Sequence, residues 1–159
     1  MNKRIMQSAL APAMAVLFAS FAASAQNAQP SVEGVWQVSR HGVNCQTGVG
    51  FPNGFHALMT FHKDGTIHSD AVGPGSTAAE GTAEHGLWER APGSGHYAIK
   101  IVSYGWDDTG AFEGSAQITG GLQVTSADSF TYDALIQFFD PDGALLATRC
   151  GRAHGTRFR

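Results

Sequence analysis

The sequence predicts an all-β domain: a single antiparallel up-and-down β-barrel of about eight strands. Three observations point there. From Val32 onward the chain repeats short alternating or β-rich segments separated by turns built from Gly, Pro or Asp. No helical periodicity in that stretch outlasts a turn or two. Eight sequential strands without helices would leave two open edges unless the sheet closes on itself.

The amino end stands outside this pattern. Lys3 and Arg4 precede an apolar stretch from Ala9 to Ala22, and Ala23-Ser24-Ala25 has the small-x-small form of a signal-peptidase site. A membrane anchor needs about twenty uninterrupted apolar residues, and this stretch is broken by Pro12 and Ser20. The expected organisation is a secretory signal over 1–25, a flexible lead over 26–33 and the barrel over 34–159. A secreted or periplasmic location follows, with no integral membrane segment once the signal is removed.

The expected strands are Gly34 to Arg40, Phe55 to His62, Thr66 to Asp70, His85 to Ala91, His96 to Tyr104, Ala111 to Thr125, Ser129 to Asp140 and Ala144 to Cys150. Lys63-Asp64-Gly65 and Pro141-Asp142-Gly143 suit three-residue hairpin loops with Gly in the left-handed position. A three-residue loop at Lys63–Gly65 sets Phe61 opposite Ile67 and Thr60 opposite His68, which keeps apolar residues on one face. The same parity turns Phe55, Ala57, Met59 and Phe61 inward, then Tyr97, Ile99 and Ile101, then Phe112, Gly114, Ala116 and Ile118, then Phe130, Tyr132, Ala134, Ile136 and Phe138. Gly120-Gly121 predicts a bulge in the long sixth strand. Gly42 to Gly54 and Ala71 to Glu84 read as long loops, of the kind that serve as lids or lack order.

Export changes the reading of the two cysteines. Cys45 and Cys150 are 105 positions apart and form no CxxC-type site. In an oxidising compartment they are expected to form a structural disulfide joining the first loop to the last strand. Closing a loop of that length removes about 4 to 5 kcal/mol of unfolded-state entropy in the chain-entropy model.

Gly34-Val35-Trp36 on the first strand and Arg149 on the last, with Arg152 close behind, resemble the lipocalin and calycin superfamily signature. The resemblance implies an eight-stranded barrel in which Trp36 plugs the closed end and Arg149 lies across its ring, a pairing that cation–π attraction favours. It covers Gly34 to about Arg152. Avidin-like barrels open similarly, but the polar residues that an avidin uses for biotin are not found. Thr131-Tyr132-Asp133 departs in order and place from the T-D-Y motif of a lipocalin, so no ligand transfers with the resemblance.

Composition excludes more than it selects. The net charge is −3, and removing Lys3 and Arg4 with the signal makes it more negative. Arg149, Arg152, Arg157 and Arg159 form the one basic cluster, so neither nucleic acid nor an anionic membrane surface is an expected partner. Seven histidines raise the question of a metal. His62 and His68 fall on one face of a hairpin with His56 and Asp70, but without tight His-x-His or His-x-x-x-His spacing the pattern reads as a solvated outer face, and no metal or cofactor is assigned. No G-x-S-x-G, phosphate-binding loop or dinucleotide fingerprint is present.

The aromatic inventory carries the functional expectation. Aromatic residues make up 10% of the chain, and the inward faces set large rings against Gly114, Ala116 and Ala134. This alternation suits a hollow barrel or interdigitated filling, since eight strands permit both. Trp106 on a polar Gly-Trp-Asp-Asp tip belongs near a barrel mouth. The expected function is binding of a small apolar or aromatic molecule in the interior, lined by Phe55, Met59, Phe61, Tyr97, Phe112, Tyr132 and Phe138. One alternative is a cofactor-free isomerase or cyclase in the same cavity, using Tyr97, Tyr132 and Glu89 as its acid. The other is a filled barrel that engages another protein. The oligomeric state is open.

Overall fold

The computed structural model describes residues 30–72 and 83–159. The expected signal, the lead up to residue 29 and most of the Ala71 to Glu84 loop lie outside the described residues. Eight strands run in chain order: β1 (Gly34–Val43), β2 (Gly50–Phe61), β3 (Thr66–Val72), β4 (Glu84–Arg90), β5 (His96–Trp106), β6 (Phe112–Ser126), β7 (Ser129–Phe139) and β8 (Leu145–Arg157). Each pairs antiparallel with the next, and β8 pairs with β1 to close the barrel. Among the described residues no helix is long and apolar enough to cross a membrane.

The turns follow from Asp and Gly placement. In the β2–β3 hairpin Gly65 takes φ +88°, and Asp64 accepts hydrogen bonds from the Thr66 amide at 3.0 Å and its hydroxyl at 2.6 Å. Phe61 faces Ile67 and Thr60 faces His68, the register that a three-residue loop requires. The β7–β8 turn repeats the design: Gly143 takes φ +85° and Asp140 accepts from the Ala144 amide.

Three expectations about strand geometry are corrected. Gly42 to Gly54, read as a long loop, is mostly strand, since β1 runs to Val43 and β2 starts at Gly50. The ladder runs unbroken through Gly120 and Gly121. The irregularity in the β5–β6 ladder falls instead where Gly105 pairs with Gly114 and Trp106 pairs with Phe112, leaving Glu113 as the extra residue. Gly114, at φ +137°, supplies the backbone conformation. Gly120 serves close packing, since a Cβ there would run into the Asp133 carbonyl oxygen. The last strand also continues past Cys150 to Arg157. Gly151, Ala153 and Gly155 are its buried residues, and a Cβ on Gly155 would enter the Phe130 ring.

The barrel has a sealed pole and an open one. Trp36, Met59, Phe61, Tyr97, Leu122 and Phe130 pack the sealed half. Trp36 meets Phe130 edge-on at 4.8 Å between ring centroids. Residues 30–33, expected as flexible lead, are held against this pole: Val32 is fully buried, its carbonyl accepts from Trp36 Nε1 at 2.8 Å, and the Pro30 carbonyl accepts from the Tyr97 hydroxyl. The arginine over Trp36 is Arg157, its guanidinium carbon 4.1 Å from the ring centroid. Arg149 lies eight residues before the strand end at Arg157, toward the opposite pole, so the expected Trp36–Arg149 contact is corrected to Trp36–Arg157.

The open pole carries the β1–β2 loop, which Cys45 ties to β8 through a disulfide with Cys150, Cα atoms 5.2 Å apart. That crosslink matches its sequence expectation. Trp106 also sits at this pole, its ring 5.4 Å from that of Phe112.

Candidate functional site

Above the packed half the barrel is hollow. A cavity of about 420 Å³ opens at the unsealed pole. Its wall is apolar, formed by Phe55 from β2, Ala116 and Ile118 from β6, and Tyr132, Ala134, Ile136 and Phe138 from β7. Small residues, Ala116 and Ala134, stand where rings would otherwise fill the space. A second hollow of about 450 Å³ shares Glu84, Ser103, Ala116 and Phe138 with it and reaches toward Glu113 and Leu146.

The expected lining residues divide between the two halves. Phe55, Tyr132 and Phe138 line the cavity. Met59, Phe61 and Tyr97 lie below it, buried in the sealed core with 2% or less of their surface exposed. They share the inward parity of the lining residues, but their strands reach that level where Trp36 and Phe130 fill the interior. Phe112 lines neither hollow. The bulge at Glu113 reverses the alternation, and Phe112 packs instead with Tyr104 and Trp106 at the rim.

The polar floor of the cavity was not anticipated. Arg40, at the level above Trp36 and Val38 on β1, is 4% exposed. Its Nη1 donates to both carboxylate oxygens of Glu84, at 2.8 and 2.7 Å, and its Nη2 donates to Ser69 Oγ at 3.0 Å. A buried charge pair needs this density of hydrogen bonds to offset its desolvation. Glu84 takes the inward position that sequence reasoning considered for Glu89; Glu89 is exposed, one residue out of phase with Gly86 and Trp88. Extending the Trp36–Val38 parity by one step would have found Arg40. Glu84 carried no such signal, because it begins its strand directly after a loop.

Tyr132 stands beside this pair. Burial pushes its hydroxyl up to about 12; the Arg40 charge opposes that rise and the Glu84 charge adds to it. The group is therefore a hydrogen-bond donor at any ordinary pH. Around the mouth lie His41, Arg149 and Arg152. Arg152 pairs with Asp133 at 2.7 Å, while Arg149 is exposed and donates to the Thr148 carbonyl. Arg159 pairs with Asp128 at the sealed pole.

The histidine cluster lies on the outer face. His68 is 3.3 Å from Asp70, with both side chains substantially exposed, and its ring is 5.0 Å from that of His85. His56 meets Ser39. Among the described residues no three His, Cys, Asp or Glu side chains converge in a metal-holding arrangement.

No protein-family model matches the chain, and no curated protein matches it. Among solved structures, one described as EF1p2_mFAP2b bound to DFHBI is similar, with a TM-score of 0.50 and 17% sequence identity. The match covers 79% of this chain and 93% of that chain. At that identity the likeness concerns the fold.

Proposed function

We propose that this protein is an exported β-barrel that binds a small apolar or aromatic molecule in the cavity at its open pole. The observation that carries the reading is the division of the interior: one half is filled by buried side chains around Trp36 and Phe130, and the other is held open by Ala116 and Ala134 to about 420 Å³, within the range of small-molecule sites. A barrel folded only as an interaction module has no need of that void. The similar barrel captured with DFHBI supports the same use of the fold, and the Gly34-Val35-Trp36 opening with Arg157 over Trp36 supports a calycin-like ancestry. The leader-like amino end and the Cys45–Cys150 disulfide support export to an oxidising compartment.

Catalysis by the inward carboxylate is the weaker reading. Both oxygens of Glu84 are engaged by Arg40, so the carboxylate, although it lines the cavity, is committed to an ion pair. Native mass spectrometry of the protein purified from its own compartment, with titration of a fluorescent hydrophobic probe, tests the binding reading. A copurified small molecule and saturable one-to-one probe binding are expected. A barrel that yields neither overturns it.

A further inference from the structure

Donors and acceptors at the cavity floor do not balance. Glu84 accepts twice from Arg40, and Ser69 accepts from Arg40 once. Against this, Arg40 Nε is buried without a partner, and the Tyr132 hydroxyl, on a side chain only 4% exposed, makes no hydrogen bond within the described residues. Both side chains line the cavity. Arg40 Nε is the buried unmatched donor, whereas the Tyr132 hydroxyl is reachable from the cavity, so an acceptor on an occupant can match it. The unmet demand is for an acceptor.

The charge of the floor narrows the chemistry. Arg40 and Glu84 neutralise each other across 2.7 Å, so an anion seated there would face the Glu84 carboxylate without a counter-charge of its own, and would lose its hydration as well. A neutral acceptor meets neither penalty. An anionic group on the same molecule belongs at the mouth, near Arg149.

Resting on the binding reading above, we infer that the occupant carries a neutral hydrogen-bond acceptor, a carbonyl oxygen or ring nitrogen, which receives the Tyr132 hydroxyl proton's hydrogen bond at the cavity floor while its apolar rings lie against Phe55, Ile136 and Phe138.

The matched pair 9-fluorenone and fluorene tests this, because the two differ by one ketone oxygen. Fluorenone should bind about tenfold more tightly than fluorene, and Tyr132→Phe should erase that difference. Equal binding of the two by the native protein, or an equal loss for both in the variant, overturns the inference. Binding of neither overturns the small-molecule reading with it. Fluorene-9-carboxylate binding more tightly than fluorenone, with sensitivity to Tyr132→Phe, overturns the neutral acceptor in favour of an anion. A second measurement is independent of the variant's folding: the infrared ketone stretch of bound fluorenone should move to lower wavenumber than in hexane, and an unshifted band overturns the assignment.

Discussion

The guanidinium of Arg157 lies 4.1 Å from the centre of the Trp36 ring and at the same time donates to the carbonyls of Ser31, Glu33 and Ala127. One side chain at the end of β8 thus closes the sealed pole and fastens the residues that precede β1. Replacing it removes a cation–π contact and leaves three carbonyls to find other donors. Arg157→Ala should destabilise the fold by about 2 to 3 kcal/mol in urea denaturation, whereas Arg149→Ala should stay within about 0.5 kcal/mol of the native protein. Similar losses at both positions would contradict the placement of these two arginines.

The buried Arg40–Glu84 pair should respond asymmetrically. Removing one partner strands the other charge, so Arg40→Met or Glu84→Leu alone should cost about 3 to 5 kcal/mol. The double replacement removes both charges from the interior and should recover most of that loss. Additive losses in a double-mutant cycle would show that the two side chains do not act as a pair.

Alkaline stability carries the signature of Tyr132. Its hydroxyl titrates near 12 in the folded protein against an ordinary 10.0. The unfolded chain gives up the proton first, so the contribution is complete below pH 10 and lost as pH rises through 12. Over that window it amounts to about 2 to 3 kcal/mol. Tyr132→Phe should flatten the decline of stability between pH 10 and 12 relative to the native protein. An identical decline in both would refute it.

Filling the hollow half should separate binding from folding. Ala116 borders both hollows, and Ala116→Phe would place a ring in space that the native barrel leaves open. Affinity for a hydrophobic probe should fall by a factor of about ten or more, equivalent to about 1.4 kcal/mol, with little change in thermal midpoint. Undiminished probe affinity would mean that the probe binds elsewhere.

Fold and site were legible in the sequence to different depths. The β2–β3 register followed from one turn, because Asp64-Gly65 permits a single loop length that keeps Phe61 opposite Ile67. The end of β8 was illegible for a local reason: Gly151 and Gly155 are small so that the Ile136 side chain and the Phe130 ring can lie beside them, and small residues carry no strand preference of their own. The partner of Trp36 was misplaced as a consequence, since Arg149 was then the arginine nearest the expected strand end. Parity correctly turned Met59, Phe61 and Tyr97 inward, but which inward residues meet a void and which meet Trp36 depends on height along the barrel, a property of all eight strands together. Phe112 failed for one residue, Glu113, whose bulge reverses the side that its neighbours face.

Because Arg157 fastens Ser31 and Glu33 beneath Trp36, the chain enters and leaves the barrel at the same pole, opposite the mouth. Anything joined beyond Arg157 extends from that pole. A protein immobilised on a sensor surface through its carboxyl end would therefore present its cavity to the solution, and an affinity tag there would stand clear of an incoming molecule.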